Sequence, residues 1–403
     1  MRFKILFLIF ISLIPFSIFA QETTPEPVTS QTIIIWLPDE LTSAELLDEM
    51  ALFDTFIVDF EEASSISINF DIRIKSADSV GGLMSTLRSA SAVAPASLPD
   101  ITLMKRYDLQ SAVKDNLIHP LTGLISASTL TDLEGTIELA QIDEDLWGLP
   151  YFIEILVGVS RPAAEGSVPD WSYAGILADG APILIPTQRA ASLNNVFYAQ
   201  YISSGEVGIE NALLQVNPSV LRDNLKFYED LRANGLINTD VLYASPAEYL
   251  NLFSEGIFNK AVLTSSQTLR LLAVEPDLVL STIPNNLGEN LSVMDGWSWV
   301  MTSSDPAKQA IVIEFFNTLF ADKNLHGELA QSLYRLPSQR SALNDWLDPS
   351  MDVSFIESMI ENAVVSLAQD EGGLTARSIQ LALNDVLAGL SAREATEKVI
   401  NSN

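Results

Sequence analysis

Three side chains that could contact a ligand share one face of a predicted strand. Asp295, Trp297 and Trp299 are spaced by two, and successive residues of a strand point to opposite sides. An aromatic ring stacks on the apolar face of a ligand, and a carboxylate accepts hydrogen bonds from hydroxyl groups. The pattern predicts non-covalent binding, with Trp297 as a stacking platform and Trp299 in the core. Packing of Trp297 between two parts of the protein is the alternative.

Other polar candidates follow the first and third predicted strands. Both strands are short apolar runs, and the side chains after such runs lie at the edge of a sheet. The candidates are Trp36, Asp39 and Glu40 after the first strand, and Lys105, Arg106, Tyr107 and Asp108 after the third. Two structural alternatives stay open: Trp36 fills the core, and Asp108 caps the next helix from a solvated loop.

One carboxylate stands alone in an apolar segment. Glu154 lies in the run YFIEILVGV, close to Tyr151 and Phe152. A buried carboxylate is costly unless a partner compensates its charge. Glu154 is therefore expected to contact either a ligand or a hydrogen-bonding group of the protein.

Strands and helices alternate along the chain, which positions these candidates. Ile66 to Ile74 alternates strictly with polar residues and predicts a strand, and a helix is predicted over 79–92. Thr42 and Glu45 form a capping box, while Asn217-Pro218 and Asp305-Pro306 begin later helices. This order predicts an α/β fold with mainly parallel sheets flanked by helices. Ligands of such sheets bind beyond the carboxyl ends of the strands.

The sequence contains few of the residues and motifs that are typical of catalytic sites. It contains no cysteine and only two histidines, His119 and His326, which are interpreted as surface or capping residues. Motifs for a zinc hydrolase, a nucleophile elbow or a phosphate-binding loop are absent. We therefore expect no catalytic residue, metal or cofactor. Paired carboxylates of a secreted glycan hydrolase stay possible, because their spacing is spatial.

The charge balance excludes some partners. The chain has 52 acidic and 22 basic residues, so nucleic acid and anionic membrane surfaces are poor partners. Solubility explains this balance, and steering of a cationic solute is the alternative.

The first twenty residues have the order of a secretory signal peptide. Arg2 and Lys4 precede an apolar run from Ile5 to Phe19, and Ala20 ends it. An uncleaved N-terminal anchor is the alternative. Residues 21–31 are rich in Pro and Thr, which predicts a flexible tether. The mature protein is thus expected in the periplasm or outside the cell, without a lipid anchor because cysteine is absent.

The order of local phrases resembles the extracellular solute-binding proteins of family 1, the maltose-binding type. The resemblance covers nearly all of the chain after residue 31. The phrases are TIIIWLPDE, FEEASSISINFDI, LPDITLMKRYDLQSAVKDNLIHPL, LWGLPYFIEILVGV, LKFYEDLRANGLIN with FSEGIFNKAVLTSS, MDGWSWVMTSSDPAKQAIVIEFFNTLF, YRLPSQRSAL and LNDVLAGLSAREATEKVINS.

The resemblance implies a two-lobed periplasmic-binding-protein fold of type II. The chain would cross between lobes near Phe152–Glu154, Met294–Trp297 and Arg340–Asn344. Lobe 1 would comprise residues 32–152 and 296–340, and lobe 2 residues 155–293 and 345–403.

The resemblance also implies that the candidates above face a cleft between the lobes. Arg340 joins them as a residue that reaches the cleft or pairs with a carboxylate at its rim. For Glu154, the resemblance implies either contact with the ligand or a hydrogen bond at the hinge between the lobes. Two departures from the family pattern fall on the part of the ligand site that the second lobe would supply. Thr264-Ser265-Ser266 stands where many relatives have Gly-x-Trp, and the segment around Trp171 lacks Tyr-Asn.

The implied function is that of a receptor for an ABC importer. A small solute, expected to be a mono- or oligosaccharide, would close the lobes, and the closed monomer would dock on a membrane permease. The alternatives are a sensor or scavenger without transport, a receptor for a cationic solute such as a polyamine, and the glycan hydrolase.

Overall fold

The structure, a computed structural model, covers most of the chain. It describes residues 30–41, 50–77, 81–162, 169–188, 192–205, 207–210, 213–237, 246–346, 352–368 and 371–402. The signal peptide, most of the tether and the capping box at Thr42 lie outside these residues. Gln31, assigned to the tether, is already the first residue of a strand. Within the described ranges, no helix is both long and apolar enough to span a bilayer.

The described strands and helices alternate, as the sequence predicts. The strands are β1 (Gln31–Pro38), β2 (Ile68–Lys75), β3 (Ile101–Lys105), β4 (Gln141–Ile142), β5 (Asp145–Leu146), β6 (Leu149–Ser160), β7 (Ile183–Leu184), β8 (Ile209–Glu210), β9 (Leu213–Leu214), β10 (Lys260–Thr264), β11 (Val279–Ser281), β12 (Ser292–Met301), β13 (Leu336–Pro337) and β14 (Ala363–Val365). The helices are α1 (Met50–Ala63), α2 (Leu83–Val93), α3 (Arg106–Lys114), α4 (Ala127–Asp132), α5 (Tyr173–Asp179), α6 (Asn195–Ser203), α7 (Pro218–Ala233), α8 (Pro246–Ser254), α9 (Ser265–Leu272), α10 (Pro306–Ala321), α11 (Lys323–Ser332), α12 (Arg340–Asn344), α13 (Val353–Glu361), α14 (Gly373–Ala388) and α15 (Ala392–Ser402).

Local sequence explains where two of the helices begin. The Asn217 side chain accepts hydrogen bonds from the first amides of α7, and Pro218 follows it. Asp305 does the same for α10, where it accepts from the Ala307 amide at 2.9 Å. Proline fits the first helical position because that position's amide has no partner within the helix. Both predicted helix starts are confirmed.

The sheet of the first lobe is built around β1. This strand runs parallel to β2 and to β3, its neighbours on either side. The order continues from β3 to β12 and then to β6. Residues 33–38 of β1 are all buried because helices cover both faces of the sheet.

Strands β6 and β12 are long and connect the two lobes. Leu149, at the start of β6, pairs with Trp299 in the first lobe, and Ser160, at its end, pairs with Lys260 of β10 in the second. β12 runs antiparallel to β6, from the second lobe to the first. Glu154 and Asp295 are paired residues in the middle of this crossing.

The sheet of the second lobe takes its remaining strands from other parts of the chain. β10 runs parallel to β7, and β14 runs parallel to β12. β10 and β11 run antiparallel to β6. Both sheets are therefore mixed, although the alternating sequence predicts mainly parallel ones. The reason is that each crossing strand enters the sheet from the other lobe. The two-lobed α/β fold itself is confirmed.

Separate hydrophobic cores support the two lobes. The first core draws on residues between 33 and 152 and between 297 and 333, and there the Trp299 ring stacks on Phe53 at 5.9 Å. A second core gathers residues of α6, α7 and α14, and a third packs behind β6 around Ile153 and Ile155. Trp299 thus lies in the core, as predicted. The predicted lobe boundaries stay a prediction.

Candidate ligand-binding site

The carboxyl ends of the strands in each lobe lie at the edge nearest the other lobe. β1, β2 and β3 are parallel, and β3 ends beside Trp297, where β12 enters the first lobe. In the second lobe, β10 ends at Thr264, which pairs with Leu156 of β6 near the crossing. Because ligands of α/β sheets bind beyond such strand ends, the space between the two edges is the candidate site.

The first-lobe edge carries charged side chains. Lys105, which ends β3, binds the Glu40 carboxylate with its Nζ at 2.8 Å. The same Nζ lies 4.9 Å from the centre of the Trp297 ring, a cation–π contact. Asp39 accepts a hydrogen bond from the Ala77 amide at 3.0 Å. These contacts hold Glu40, Lys105 and Trp297 together, and their contact with a ligand stays a prediction.

Arg106 begins α3 next to Lys105 and is oriented by its own lobe. Its Nη1 donates to the carbonyl oxygen of Gln141 at 3.0 Å and to that of Leu139 at 3.5 Å. Tyr107 and Asp108 follow in the first turn of α3, and both are half-buried. The guanidinium of Arg106 is therefore fixed in direction before any solute arrives.

The crossing strands present a second polar group. In an antiparallel pair, residues opposite each other project to the same face, so Glu154 and Asp295 share a face, as do Phe152 and Trp297. Asp295 Oδ1 accepts a hydrogen bond from the Gly296 amide at 2.8 Å. Leu156 is two residues after Glu154 on β6, so its side chain projects to the same face, and it lines a cavity of the second lobe. This common face is the floor of the candidate site.

Two side chains compensate the Glu154 carboxylate. Arg335 donates to Glu154 Oε1 from Nη1 at 2.8 Å, and the Ser266 hydroxyl donates to the same oxygen. Ser266 lies in the first turn of α9, in the second lobe. Arg335 immediately precedes β13. Glu154 is thus held by hydrogen-bonding groups of the protein, one of the two roles that the sequence left open, and a role in a hinge or in contact with a solute stays a prediction.

The second lobe contributes a cavity of about 230 Å³ lined by uncharged residues. Its polar members lie on the segment after β7, at the N-termini of α6 and α9, and on α8. They are Gln188, Asn194, Asn195, Tyr249, Thr264 and Gln267. Burial raises the pKa of Tyr249 to about 12, so its phenol stays neutral, and it donates a hydrogen bond to the Ile185 carbonyl oxygen at 3.3 Å.

Sequence reasoning missed this cavity because it looked for an aromatic residue in the second lobe. The available signal was helix capping. Thr264 and Gln267 form a capping box, and Asn194 caps α6 through its side-chain oxygen. Capping residues at strand ends place amide and hydroxyl groups at the edge of a sheet.

Trp36 and Tyr151 lie in the core of the first lobe, to which Trp297, 5 % exposed, also belongs. Trp36 is 2 % exposed, packs within the first core and carries Lys75 Nζ at 4.6 Å from its ring centre. Tyr151 is 1 % exposed and stacks on the His326 ring at 4.1 Å. Its burial raises the pKa of the Tyr151 hydroxyl. These positions favour packing over ligand contact for both side chains.

Arg340 lies apart from the other predicted residues. It binds Glu361 of α13 at 3.0 Å and lines a groove together with Leu343 and Ile360. Those two residues belong to the core behind β6, on the side of Ile153. Because Glu154 projects to the opposite side, the structure does not bring Arg340 to the candidate site.

The histidines do not form a reactive site. His326 is fully buried, which corrects the predicted surface or capping role, because its ring bonds Gln339 at 2.7 Å and the Tyr151 carbonyl oxygen at 2.5 Å. Burial lowers its pKa to about 4 and so keeps the ring neutral. Burial also lowers the pKa of His119. The described residues contain no group of three or more side chains suited to a metal ion.

Several buried polar atoms near the crossing have no protein partner among the described residues. They include Nε of Arg106, Nε of Arg335 and the hydroxyls of Ser366 and Tyr151. Ser366 directly follows β14 and so lies at a strand end of the second lobe. A buried donor without a partner is uncommon in a native protein, and a bound polar molecule would satisfy it. The arrangement can therefore hold a hydroxylated solute.

Solved structures share this fold, although the sequence matches no protein-family profile and no curated protein at a significant level. A cyclic α-maltosyl-1,6-maltose binding protein from Arthrobacter globiformis superposes with a TM-score of 0.74 at 14% identity. The match covers 92% of this chain and 97% of that protein. The GacH receptor of Streptomyces glaucescens, solved unliganded and with acarbose, has a TM-score of 0.69 at 16% identity. There the match covers 93% of this chain and 97% of the receptor.

A third neighbour carries the family name that the sequence phrases suggest. An extracellular solute-binding protein family 1 member from Alicyclobacillus acidocaldarius has a TM-score of 0.65 at 15% identity. The match covers 94% of this chain and 98% of that protein. Identities this low establish a common fold and leave the ligand open. The resemblance is confirmed at this level: the chain has the two-lobed fold of the maltose-binding-type solute-binding proteins.

Proposed function

We propose that this protein is an extracytoplasmic receptor that binds a neutral, hydroxylated solute between its lobes and delivers it to an ABC importer. The observation that carries the proposal is the site itself. Oriented charged groups of the first lobe face an uncharged polar cavity of the second, and buried donors beside them lack a protein partner. The structural neighbours named for maltose-type sugars and acarbose support a mono- or oligosaccharide.

The distribution of charge favours a neutral solute over a polyamine. Lys105 pairs with Glu40, and Arg335 pairs with Glu154, so these two carboxylates already have a cation of the protein as partner. The whole chain, in contrast, has a formal net charge of −30. A site for a polyamine would present unpaired carboxylates, because a buried cation needs its charge compensated. Ion-paired side chains suit vicinal hydroxyl groups, which donate to the carboxylate and accept from the cation.

The proposed mechanism is hinge closure. The lobes are joined by β6 and β12, together with the segment near β13 and α12. A solute that contacts both lobes binds the closed form more tightly and shifts the open–closed equilibrium towards it. The core that draws on residues 33–152 and 297–333 supports the lobe boundaries proposed from the sequence.

Export and partners follow from the same proposal. The charged and apolar order of residues 1–20 supports secretion, and a free or signal-anchored monomer would dock its closed face on the permease. A permease gene beside the receptor gene is expected. A receptor kinase gene in that place would instead support a sensor.

A thermal-shift screen tests the ligand class. The panel contains glucose, maltose, maltotriose, putrescine, spermidine and amino acids. A solute at a hundred times its dissociation constant stabilises the protein by about 2.7 kcal/mol, so a bound sugar raises the unfolding midpoint. A shift with spermidine but with no sugar would overturn the neutral solute. Incubation with glycans followed by chromatography completes the test, because shortened products would show an enzyme.

A further inference from the structure

One ion pair joins the two lobes across the candidate site. Arg106 Nη2, at the start of α3 in the first lobe, lies 3.6 Å from Glu371 Oε2, just before α14 in the second. The two side chains are only 10% and 20% exposed. The pair is therefore less screened by water than a surface salt bridge, whose contribution to stability is small. Glu371 is not among the residues that the sequence predicts for the site.

Each partner is oriented by its own lobe. The Arg106 guanidinium donates to carbonyl oxygens of Leu139 and Gln141 in the first lobe. The Glu371 carboxylate accepts from the Ala368 amide in the second lobe at 2.9 Å. Neither contact involves the other lobe, so both side chains keep their direction when the lobes separate. The ion pair therefore forms only when the lobes approach, and it contributes free energy to that approach alone.

The pair acts on Tyr198 of α6, one turn after two residues that line the second-lobe cavity. Tyr198 is 5% exposed, and the charges of Glu371 and Arg106 both act on its hydroxyl. Burial chiefly raises the pKa of Tyr198, and the Glu371 charge adds to that rise. Tyr198 follows Asn194 and Asn195 by about one helical turn, so these residues share one face of α6. A solute in the cavity would lie next to Arg106.

The donors of Arg106 point to three kinds of partner. A guanidinium has five N–H groups in a rigid, planar fork. Nη1 binds the first lobe and Nη2 faces Glu371, whereas Nε is buried without a protein partner among the described residues. One planar group can thus hold its own lobe, the other lobe and a solute at the same time.

We propose that Glu371 determines closure by binding Arg106, so that part of the closed state forms without solute and Arg106 is positioned to donate Nε to the solute. This inference rests on the proposed hinge function. Glu371 acts as a positioning residue, since it acts on the solute through Arg106. Apparent affinity increases with the fraction of molecules that are already in the binding-competent state. A receptor that is partly closed without solute therefore binds more tightly than one that is almost always open.

The experiment measures the distance between lobes in the full-length mature protein. The chain has no cysteine, so Ser89→Cys and Asp223→Cys introduce two unique labelling sites, one exposed on each lobe. Pulsed spin-label spectroscopy then gives the distance distribution with and without maltotriose. The test variant is Glu371→Gln, which keeps the size of the side chain and removes its charge. The matched control is Glu275→Gln, which breaks the ion pair with Arg161 at 3.0 Å inside the second lobe.

Without solute, the compact population should fall about fivefold in Glu371→Gln and stay unchanged in Glu275→Gln. Raising the salt concentration from about 0.1 M to about 1 M should lower the compact population of the unmutated protein, because salt screens the ion pair. The same change should have less effect on the compact population of Glu371→Gln. Equal distributions for the unmutated protein and Glu371→Gln would overturn the inference, as would an equal change in the control. Failure of every solute to change the unmutated distribution would instead overturn the proposed function, while the solute-free comparison still decides the role of Glu371.

Discussion

At the scale of single residues, the candidate site is a set of charged side chains that compensate one another. Glu154 illustrates the principle. Its carboxylate sits on the floor of the site with Arg335 and Ser266 as partners, and the two ionic side chains are 26% and 14% exposed. Partial burial strengthens such a pair relative to one at the surface, and removal of one partner leaves the other uncompensated.

Replacing Glu154 should therefore affect both stability and binding. Glu154→Gln leaves the Arg335 guanidinium without its anion, so we expect a loss of about 1–2 kcal/mol in the free energy of unfolding. Affinity for the solute identified by thermal shift should fall about tenfold, because Glu154 lies on the face shared with Trp297. Urea unfolding and titration calorimetry measure the two effects.

The matched control for Glu154 is Glu361→Gln, which breaks the exposed pair with Arg340 behind the crossing strands. It should leave affinity unchanged and stability nearly so. A Glu154→Gln protein with unchanged affinity but lower stability would assign this carboxylate to the hinge alone.

His326 makes stability depend on pH. Burial lowers its pKa to about 4 in the folded protein, against about 6.5 in an unfolded chain. Between these values the unfolded chain binds more protons, so the free energy of unfolding falls as the pH drops from about 6.5 to about 4. From pH 7 to pH 5, this one group should remove about 2 kcal/mol.

Urea unfolding at pH 5 and pH 7 checks the contribution of His326. His326→Gln should show a smaller difference between the two pH values than the unmutated protein, whatever its absolute stability. His119→Gln is the control, since His119 is only partly enclosed. An identical pH difference in His326→Gln and the unmutated protein would contradict the assignment.

At the scale of elements, the pairing of β6 with β12 joins the two lobes. The strands approach so closely at Gly296 that a Cβ atom there would lie 2.5 Å from the Phe152 carbonyl oxygen and 3.2 Å from Ile153 Cα. Both atoms belong to backbone, which cannot move aside as a flexible side chain does. A glycine is required here because of space and not because of a positive φ.

Gly296→Ala should force the crossing strands apart. We expect a loss of about 1–3 kcal/mol in the free energy of unfolding, the usual cost of an overpacked site. Gly208→Ala is the control, because a Cβ atom there meets nothing within 4 Å. Chemical denaturation of both variants checks the prediction, and equal stabilities would show that the crossing tolerates the methyl group.

At the scale of the whole molecule, two lobes that are joined by a few strands make relative motion of the lobes the expected behaviour. A solute that bridges the first-lobe edge and the second-lobe cavity should reduce the radius of gyration. X-ray scattering with and without a saturating solute measures this change. A solute that binds tightly and leaves the scattering curve unchanged would contradict hinge closure.

The sequence by itself determined the class of fold and much of the first-lobe edge. Alternating strands and helices and the strand-end positions of Glu40, Lys105 and Arg106 are local properties that short patterns reveal. Spacing by two placed Trp297 and Trp299 on one face of β12, but it could not tell that both rings are buried.

Only the tertiary structure decided which groups meet across long separations in the chain. Glu154 binds Ser266 and Arg335, and Arg106 faces Glu371, yet no local pattern links such distant positions. The sequence predicted Trp36, Tyr151 and Arg340 as site residues. In the structure, Trp36 and Tyr151 pack in the core of the first lobe, and Arg340 lies behind the crossing strands. The physical reason is that periodicity fixes the face on which a side chain lies, whereas the partner on that face depends on how distant elements pack.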